Sequence, residues 1–412
     1  RMYRFLTRSL PRKSCSRNWK RGILTPAFAL NQEWNERHSD MSRLGLGGEY
    51  EWIATVQKKF IGGGYATPVD VDVAVCMGEE KDQVEDVLDI VRKLRHSPLA
   101  SRVAPSSQYA ILRLLLKHNP KEIIHLANDT INNGIFADEH SACLILNYLI
   151  EKKEWKDAAR ISGWMTHQEE YESELLKTLC LYSSLRWTEL SFEERMEEKE
   201  EEEEINDDDI VTIKMAFLKK DYNDSHLDVV DLPSLIAKTM QWLSREMNIN
   251  LSLKRCIESV SNVIGGKSVP SIDTISPSAA LLIHSYLSTL PDQSEEIKEY
   301  IEKVKVVGEK EKDVESLSSK VLSYLKNIQE KEEKILMEKQ VKKFEQWNER
   351  RRNLIDVQTK RLQLKVLRCE MEKELSELEE EEQRLFFFEN RLLLEKSARE
   401  NAEIANENYL HK

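Results

Sequence analysis

Apolar positions along this chain recur mostly at helical spacing, and between Pro105 and Thr166 they do so in two successive helix-turn-helix units. In the first, Tyr109, Ile111, Leu112, Leu114, Leu115 and Leu116 predict an almost wholly apolar helix ending near His118. Asn119-Pro120 follows, a capping side chain and then a proline whose φ is already helical. The next helix carries Ile123, Ile124, Ala127 and Ile131 on one face, and Asn133-Gly134 is placed to end it through a left-handed glycine. The second unit repeats the plan. Asp138 is placed to cap a helix holding Cys143, Leu144, Ile145, Leu146, Leu149 and Ile150. Glu151 to Glu154 read as a polar turn, and Trp155, Ala158, Ala159, Ser162 and Met165 line the second helix.

An offset of 35 residues matches Ile111 with Leu146, Leu115 with Ile150, Ile123-Ile124 with Ala158-Ala159 and Leu126 with Ile161. A helical hairpin repeated at about this period predicts an α-solenoid, because neither hairpin buries both of its faces alone. Upstream, Val84, Val87, Leu88, Val91 and Leu94 predict a helix. Val69, Val71, Val73 and Val75 alternate with Asp70 and Asp72 in a strand-like pattern, which the neighbouring periodicity turns into the first helix of a degenerate repeat. Downstream, helical spacing returns in Leu175 to Tyr182, Leu232 to Glu246, Leu251 to Ile264 and Ala279 to Leu290.

From Glu309 to Lys412 there is neither Pro nor Gly. One helix of that length would run about 150 Å at 1.5 Å per residue, so a bend is expected. A seven-residue series, Val357, Leu364, Met371, Leu378, Leu385 and Leu392, marks it as coiled-coil-like. The second seam is interrupted at Glu381 and Glu382, which favours a single stripe lying on another surface over a strong homodimeric zipper.

Charge changes the picture in three places. Between Arg1 and Gln32 there is no Asp or Glu, and Arg1, Arg4, Arg8 and Arg12 share one side of a helix opposite Met2, Tyr3, Leu6 and Leu10. That is the pattern of a mitochondrial targeting segment, predicted over 1–32. Twelve acids between Glu193 and Asp209 predict a disordered loop, because such a block repels itself and buries nothing. On the C-terminal helix, twelve Lys or Arg against six acids from Lys331 to Arg368 give way to eight acids and one lysine from Glu370 to Glu382. Lys342, Lys343, Arg350, Arg351, Arg352, Lys360 and Arg361 are therefore the RNA-contact candidates, since cations along a helix suit phosphate. Phe344 and Trp347 offer stacking surfaces beside them.

The remaining composition mostly excludes. With 412 residues, 40% of them hydrophobic and 33% charged, the chain is too polar for one globule, and a net charge of −12 confines any RNA contact to local patches. No run reaches the ~18 apolar residues of a membrane span. The cysteines are scattered without a C-x-x-C pair, a reduced-compartment pattern with no metal site. Leu44 to Gly48 and Gly62 to Gly64 lack the Lys-Ser/Thr of a phosphate loop. The histidines form no catalytic constellation, and His125 and His140 read as hairpin-surface residues. No cofactor and no small-molecule substrate are expected.

Gly134-Ile135-Phe136-Ala137-Asp138 resembles the Gly-Ile-x-Pro-Asp that closes a pentatricopeptide repeat, with alanine where proline is usual. Lys156-Asp157-Ala158-Ala159 resembles the acidic-alanine start of that repeat's second helix. Together with Arg95-His96-Ser97-Pro98 and Phe344-Glu345-Gln346-Trp347, these segments resemble the family of mitochondrial small ribosomal subunit protein twenty-seven, a pentatricopeptide-repeat-containing ribosomal protein family. The likeness is closest over Val84 to Glu169. It implies a non-catalytic protein of the mitochondrial matrix whose partners are small-subunit ribosomal RNA and other mitochondrial ribosomal proteins. A free pentatricopeptide RNA-binding factor for transcript processing or stability is the alternative, and a helical-repeat and coiled-coil scaffold a second. Base-reading repeats carry a small polar residue early in the first helix. Cys143 occupies that position here, which argues against sequence-specific reading.

The expected architecture is all-α: a solenoid of pentatricopeptide-like hairpins over 66–192, following a flexible connection at 33–65. The acidic loop at 193–209 leads to further hairpins and linker over 210–291, and a long charged helical arm occupies 292–412.

Overall fold

In the computed structural model of the chain, the described residues are 23–43, 49–169, 171–195, 229, 231–266, 270, 275–290, 295–308 and 315–410. Among them every regular element is a helix. In chain order these are α1 (Asn31–Arg43), α2 (Glu49–Ile61), α3 (Pro68–Met77), α4 (Val84–Arg95), α5 (Pro105–His118) and α6 (Pro120–Asn128). Next come α7 (Thr130–Asn133), α8 (Glu139–Lys152), α9 (Trp155–Gln168), α10 (Glu174–Thr188), α11 (Phe192–Arg195) and α12 (Leu232–Glu246). The last are α13 (Leu251–Ile264), α14 (Pro277–Ser288), α15 (Glu295–Gly308), α16 (Leu317–Leu385) and α17 (Phe387–Leu410). The backbone forms two compact units, Arg1–Asn348 and Glu349–Lys412. α16 begins in the first and ends in the second.

The first unit is the solenoid. α5 pairs with α6 and α8 with α9, and α10 stacks on both α8 and α9. Helices α8 and α10 begin at Glu139 and Glu174, so the 35-residue period runs for one step beyond the two units legible in the sequence. After α10 the second-helix place is taken by α12, which packs on α9, α10 and α13. Helix ends follow local chemistry. Asp138 accepts a hydrogen bond from the Ser141 amide at 2.8 Å, and Gly134 closes α7 with φ +61°. Asn119 stands at the head of α6 but its side chain makes no capping bond, and Pro120 alone sets that start.

Three expectations are corrected. The single helix predicted through Ile131 is broken at Asp129, whose carboxylate instead caps the short α7 by accepting from the Asn132 amide at 3.3 Å. The connection expected over 33–65 contains α1 and α2, whose Trp34, Met41, Ile53 and Val56 are buried. The targeting segment predicted over 1–32 ends in the core: Leu24, Phe28 and Leu30 are buried around a short 3-10 turn, Pro26–Ala29. Residues 1–22, most of the acidic run Glu193 to Asp209 and the Leu44 to Gly48 stretch lie outside the described residues.

The strand-like Val/Asp alternation is a helix, α3, opened by a Thr67–Asp70 capping box with Pro68 in its first turn. Its two aspartates are buried because neighbours satisfy them. Lys59 pairs with Asp70 at 2.6 Å, and the Ser106 and Ser107 hydroxyls donate to Asp72 Oδ1 at 2.5 and 2.8 Å. Period-two polarity here records hydrogen-bonding partners on both sides of a buried helix.

Candidate functional site

In a helical-hairpin solenoid the first helices form one continuous face. Here that face is made by α5, α8 and α10, and the opening part of α16 lies along it. Ser318 near the start of α16 donates to Glu189, which follows α10, at 2.5 Å. Further on, Lys339 pairs with Glu139 at 3.0 Å and with Glu172 at 2.5 Å, and Lys343 pairs with Asp138 at 3.4 Å. Leu317, Val321, Leu325, Leu336, Gln340 and Phe344 form the buried stripe of this segment. With Gln329 and Glu333 between Leu325 and Leu336, steps of three and four residues keep neighbouring members on one side of the helix.

Between α8 and α16 runs the segment before α1, held as a strap by polar groups of both helices. The Leu24 amide donates to Asn147 Oδ1 of α8 at 2.9 Å. From α16, Glu333 accepts from the Thr25 amide at 3.2 Å and from its hydroxyl at 2.7 Å, while Gln329 donates to the Ile23 carbonyl at 2.7 Å. Phe28 stacks on His140 with ring centroids 4.6 Å apart. The Phe28 carbonyl lies 2.8 Å from His140 Nε2, so that nitrogen carries the proton, and Nδ1 accepts from the Tyr109 hydroxyl at 3.1 Å. Arg113 donates to the same hydroxyl at 3.0 Å. Burial pushes the His140 imidazole down to about 4 and the Tyr109 phenol up to about 12, so both are neutral links in this relay.

The far end of the face is aromatic. Tyr109 lies between Trp34, Phe344 and Trp347, with ring centroids 5.0, 5.3 and 5.6 Å away, and the Arg37 guanidinium sits 4.0 Å over Trp34. Phe344 and Trp347 are therefore packing residues, not the stacking surfaces expected from the sequence. Burial draws Arg37 down to about 10, and it holds Glu79 at 2.9 Å. Glu79 in turn falls to about 2, first because His38 hydrogen-bonds to it.

The seven RNA-contact candidates separate into three kinds. Lys343 is a strut, engaged by Asp138. Arg351 is 5% exposed, a buried arginine between two exposed ones. Lys342, Arg350, Arg352, Lys360 and Arg361 are exposed. Cys143, the residue expected at the base-reading position, is fully buried beside Glu333, and burial raises its thiol well above the ordinary range. The first-helix face that carries it is thus covered within the chain. His125 is exposed as expected, whereas His140 is buried because Phe28 covers it. Sequence reasoning missed the strap, Glu333 and Asn147. The one available signal was polarity in the wrong place: Asn147 interrupts the apolar run of α8 between Leu146 and Leu149, and Gln329 and Glu333 stand four apart on the stripe.

The chain matches the family described as mitochondrial 28S ribosomal protein S27 over residues 2–377. No curated protein matches it. A match over this share of the chain shows that it belongs to the mitochondrial 28S ribosomal protein S27 family.

Proposed function

We propose that this component of the mitochondrial small ribosomal subunit is a non-catalytic scaffold in the matrix. In this reading it holds ribosomal RNA through backbone phosphates, docks on neighbouring ribosomal proteins, and supports mitochondrial translation through that architecture. One observation carries the reading: the solenoid face that reads bases in pentatricopeptide proteins is filled by the chain's own α16 and strap, while five cations of that helix remain exposed. Lys342, Arg350, Arg352, Lys360 and Arg361 would give affinity without base identity, as phosphate contacts do. The same observation disfavours the free transcript-processing factor, which needs the covered face open.

Replacing Arg350, Arg352, Lys360 and Arg361 together with Glu tests the reading, since all four are exposed. Gradient sedimentation of mitochondrial lysate should show the wild-type chain migrating with the small subunit and the variant shifted at least several-fold towards light fractions. Unchanged incorporation would remove these residues from the RNA contact. A light wild-type pool abolished by RNase would support the free factor instead.

A further inference from the structure

Within the Glu349–Lys412 unit, α16 carries an apolar residue at every seventh position: Val357, Leu364, Met371, Leu378 and Leu385. All five are between 46% and 73% exposed, although the opening part of the same helix buries its stripe continuously. The spacing selects the kind of cover. A straight helix drifts about 20° over seven residues, so a strict series of sevens stays in line only when two helices wind around each other. Another helix, not a flat surface, fits this stripe.

Charge selects which helix. The segment is basic up to Arg368 and acidic from Glu370 to Glu382, so its two halves complement each other when reversed. We infer that the occupant is the same segment of a second copy of this chain, running antiparallel with Met371 at the crossing point. In that register Val357 faces Leu385, Leu364 faces Leu378 and Met371 faces its own counterpart, which covers every member of the series within α16. Helical rotation brings Lys360 beside Glu381 and Arg361 beside Glu382 of the second copy, and the two-fold axis repeats both pairs. A parallel pair would set Lys360 against Lys360 and the acidic run against itself. Glu374 lies beside Leu367 of the second copy, where a permanent coiled coil has an apolar residue, so the pair is reversible and salt-sensitive.

Lys360 and Arg361 are also among the cations assigned above to phosphate. Resting on that reading, self-pairing and phosphate binding exclude one another, and the pair is the form taken by the protein off the particle.

Sedimentation equilibrium of the full-length chain carrying Cys369→Ser reports the association. The expected behaviour is a monomer–dimer equilibrium that weakens as salt rises. Leu364→Asp with Leu378→Asp should weaken it at least tenfold while circular dichroism stays helical. Lys360→Glu with Arg361→Glu should also weaken it, and adding Glu381→Lys with Glu382→Lys should restore it. In the Cys369→Ser background, Met371→Cys should form an intermolecular disulfide with diamide, whereas Val357→Cys should not. A monomer at every concentration overturns the proposal, as does a dimer indifferent to the Asp substitutions or a charge swap that restores nothing. Cross-linking at Val357→Cys as efficient as at Met371→Cys would establish a parallel pair and overturn it too. Arg350 and Arg352 lie outside the paired stretch. Their replacement by Glu therefore tests incorporation into the particle without touching the dimer, and the two readings fail separately.

Discussion

His140 shows how one side chain ties three segments together and leaves a pH signature. It reaches Phe28 of the strap and Tyr109 of α5 from the first turn of α8. Its folded pKa of about 4 lies below the ordinary 6.5, so below pH 6.5 the unfolded chain takes up the proton more readily. Stability from the neutral ring is complete above pH 6.5 and declines as pH falls toward 4. At 1.36 kcal/mol per pH unit the loss is roughly 3 kcal/mol. Urea titrations between pH 7 and 4 should show a steeper decline for the wild-type chain than for His140→Gln; parallel declines would mean that the imidazole is solvated. Nothing in the sequence distinguishes this histidine from the exposed His125. Both lie near the ends of hairpins, and only the covering Phe28, more than a hundred residues away, separates them.

At the scale of elements, the helices were legible wherever apolar spacing was strict: Leu232–Glu246 and Leu251–Ile264 form with the bounds their pattern predicts. The local pattern is ambiguous where a helix is buried along most of its length, as in α3, since periodicity needs a wet face to be visible; there the neighbouring periodicity carried the helical reading. Packing between elements adds a constraint the pattern does not show. Gly163 of α9 faces Leu235 of α12 so closely that a Cβ would lie 2.3 Å from the leucine Cδ2. Gly163→Ala should therefore destabilise the fold by about 1–3 kcal/mol, although alanine is the better helix former. Thermal melting checks this, and combined with Leu235→Ala the two losses should be less than additive, because the shortened side chain removes the clash. A neutral Gly163→Ala would show that α12 stands off from α9.

For the molecule as a whole, the decisive feature is the meeting of distant segments. Residues 23–34 and the opening part of α16 share one face of the solenoid and hold each other there, more than 300 positions apart in the chain. A chain beginning at Glu33 lacks Leu24, Phe28 and Leu30 and leaves Glu333 and Asn147 without strap partners. Burial of three large apolar side chains at about 1.5–3 kcal/mol each puts the expected loss on the order of 5 kcal/mol. Denaturant unfolding, with hydrogen exchange read on residues 317–347, should show that loss together with weaker protection of α16. Unaltered protection would mean that α16 docks without the strap.

The sequence by itself determined the helical class, the 35-residue hairpin period, most helix limits and the reversal of charge along the C-terminal helix, because each is a property of neighbours three to seven positions apart. The tertiary structure decided which surfaces stay open. It set Phe344 and Trp347 in an aromatic cluster and Lys343 in an ion pair with Asp138, drew the end of a basic leader-like segment into the core, and covered Cys143. Whether an aromatic ring or a lysine meets solvent depends on which far segment reaches it first, and no local pattern encodes that distance.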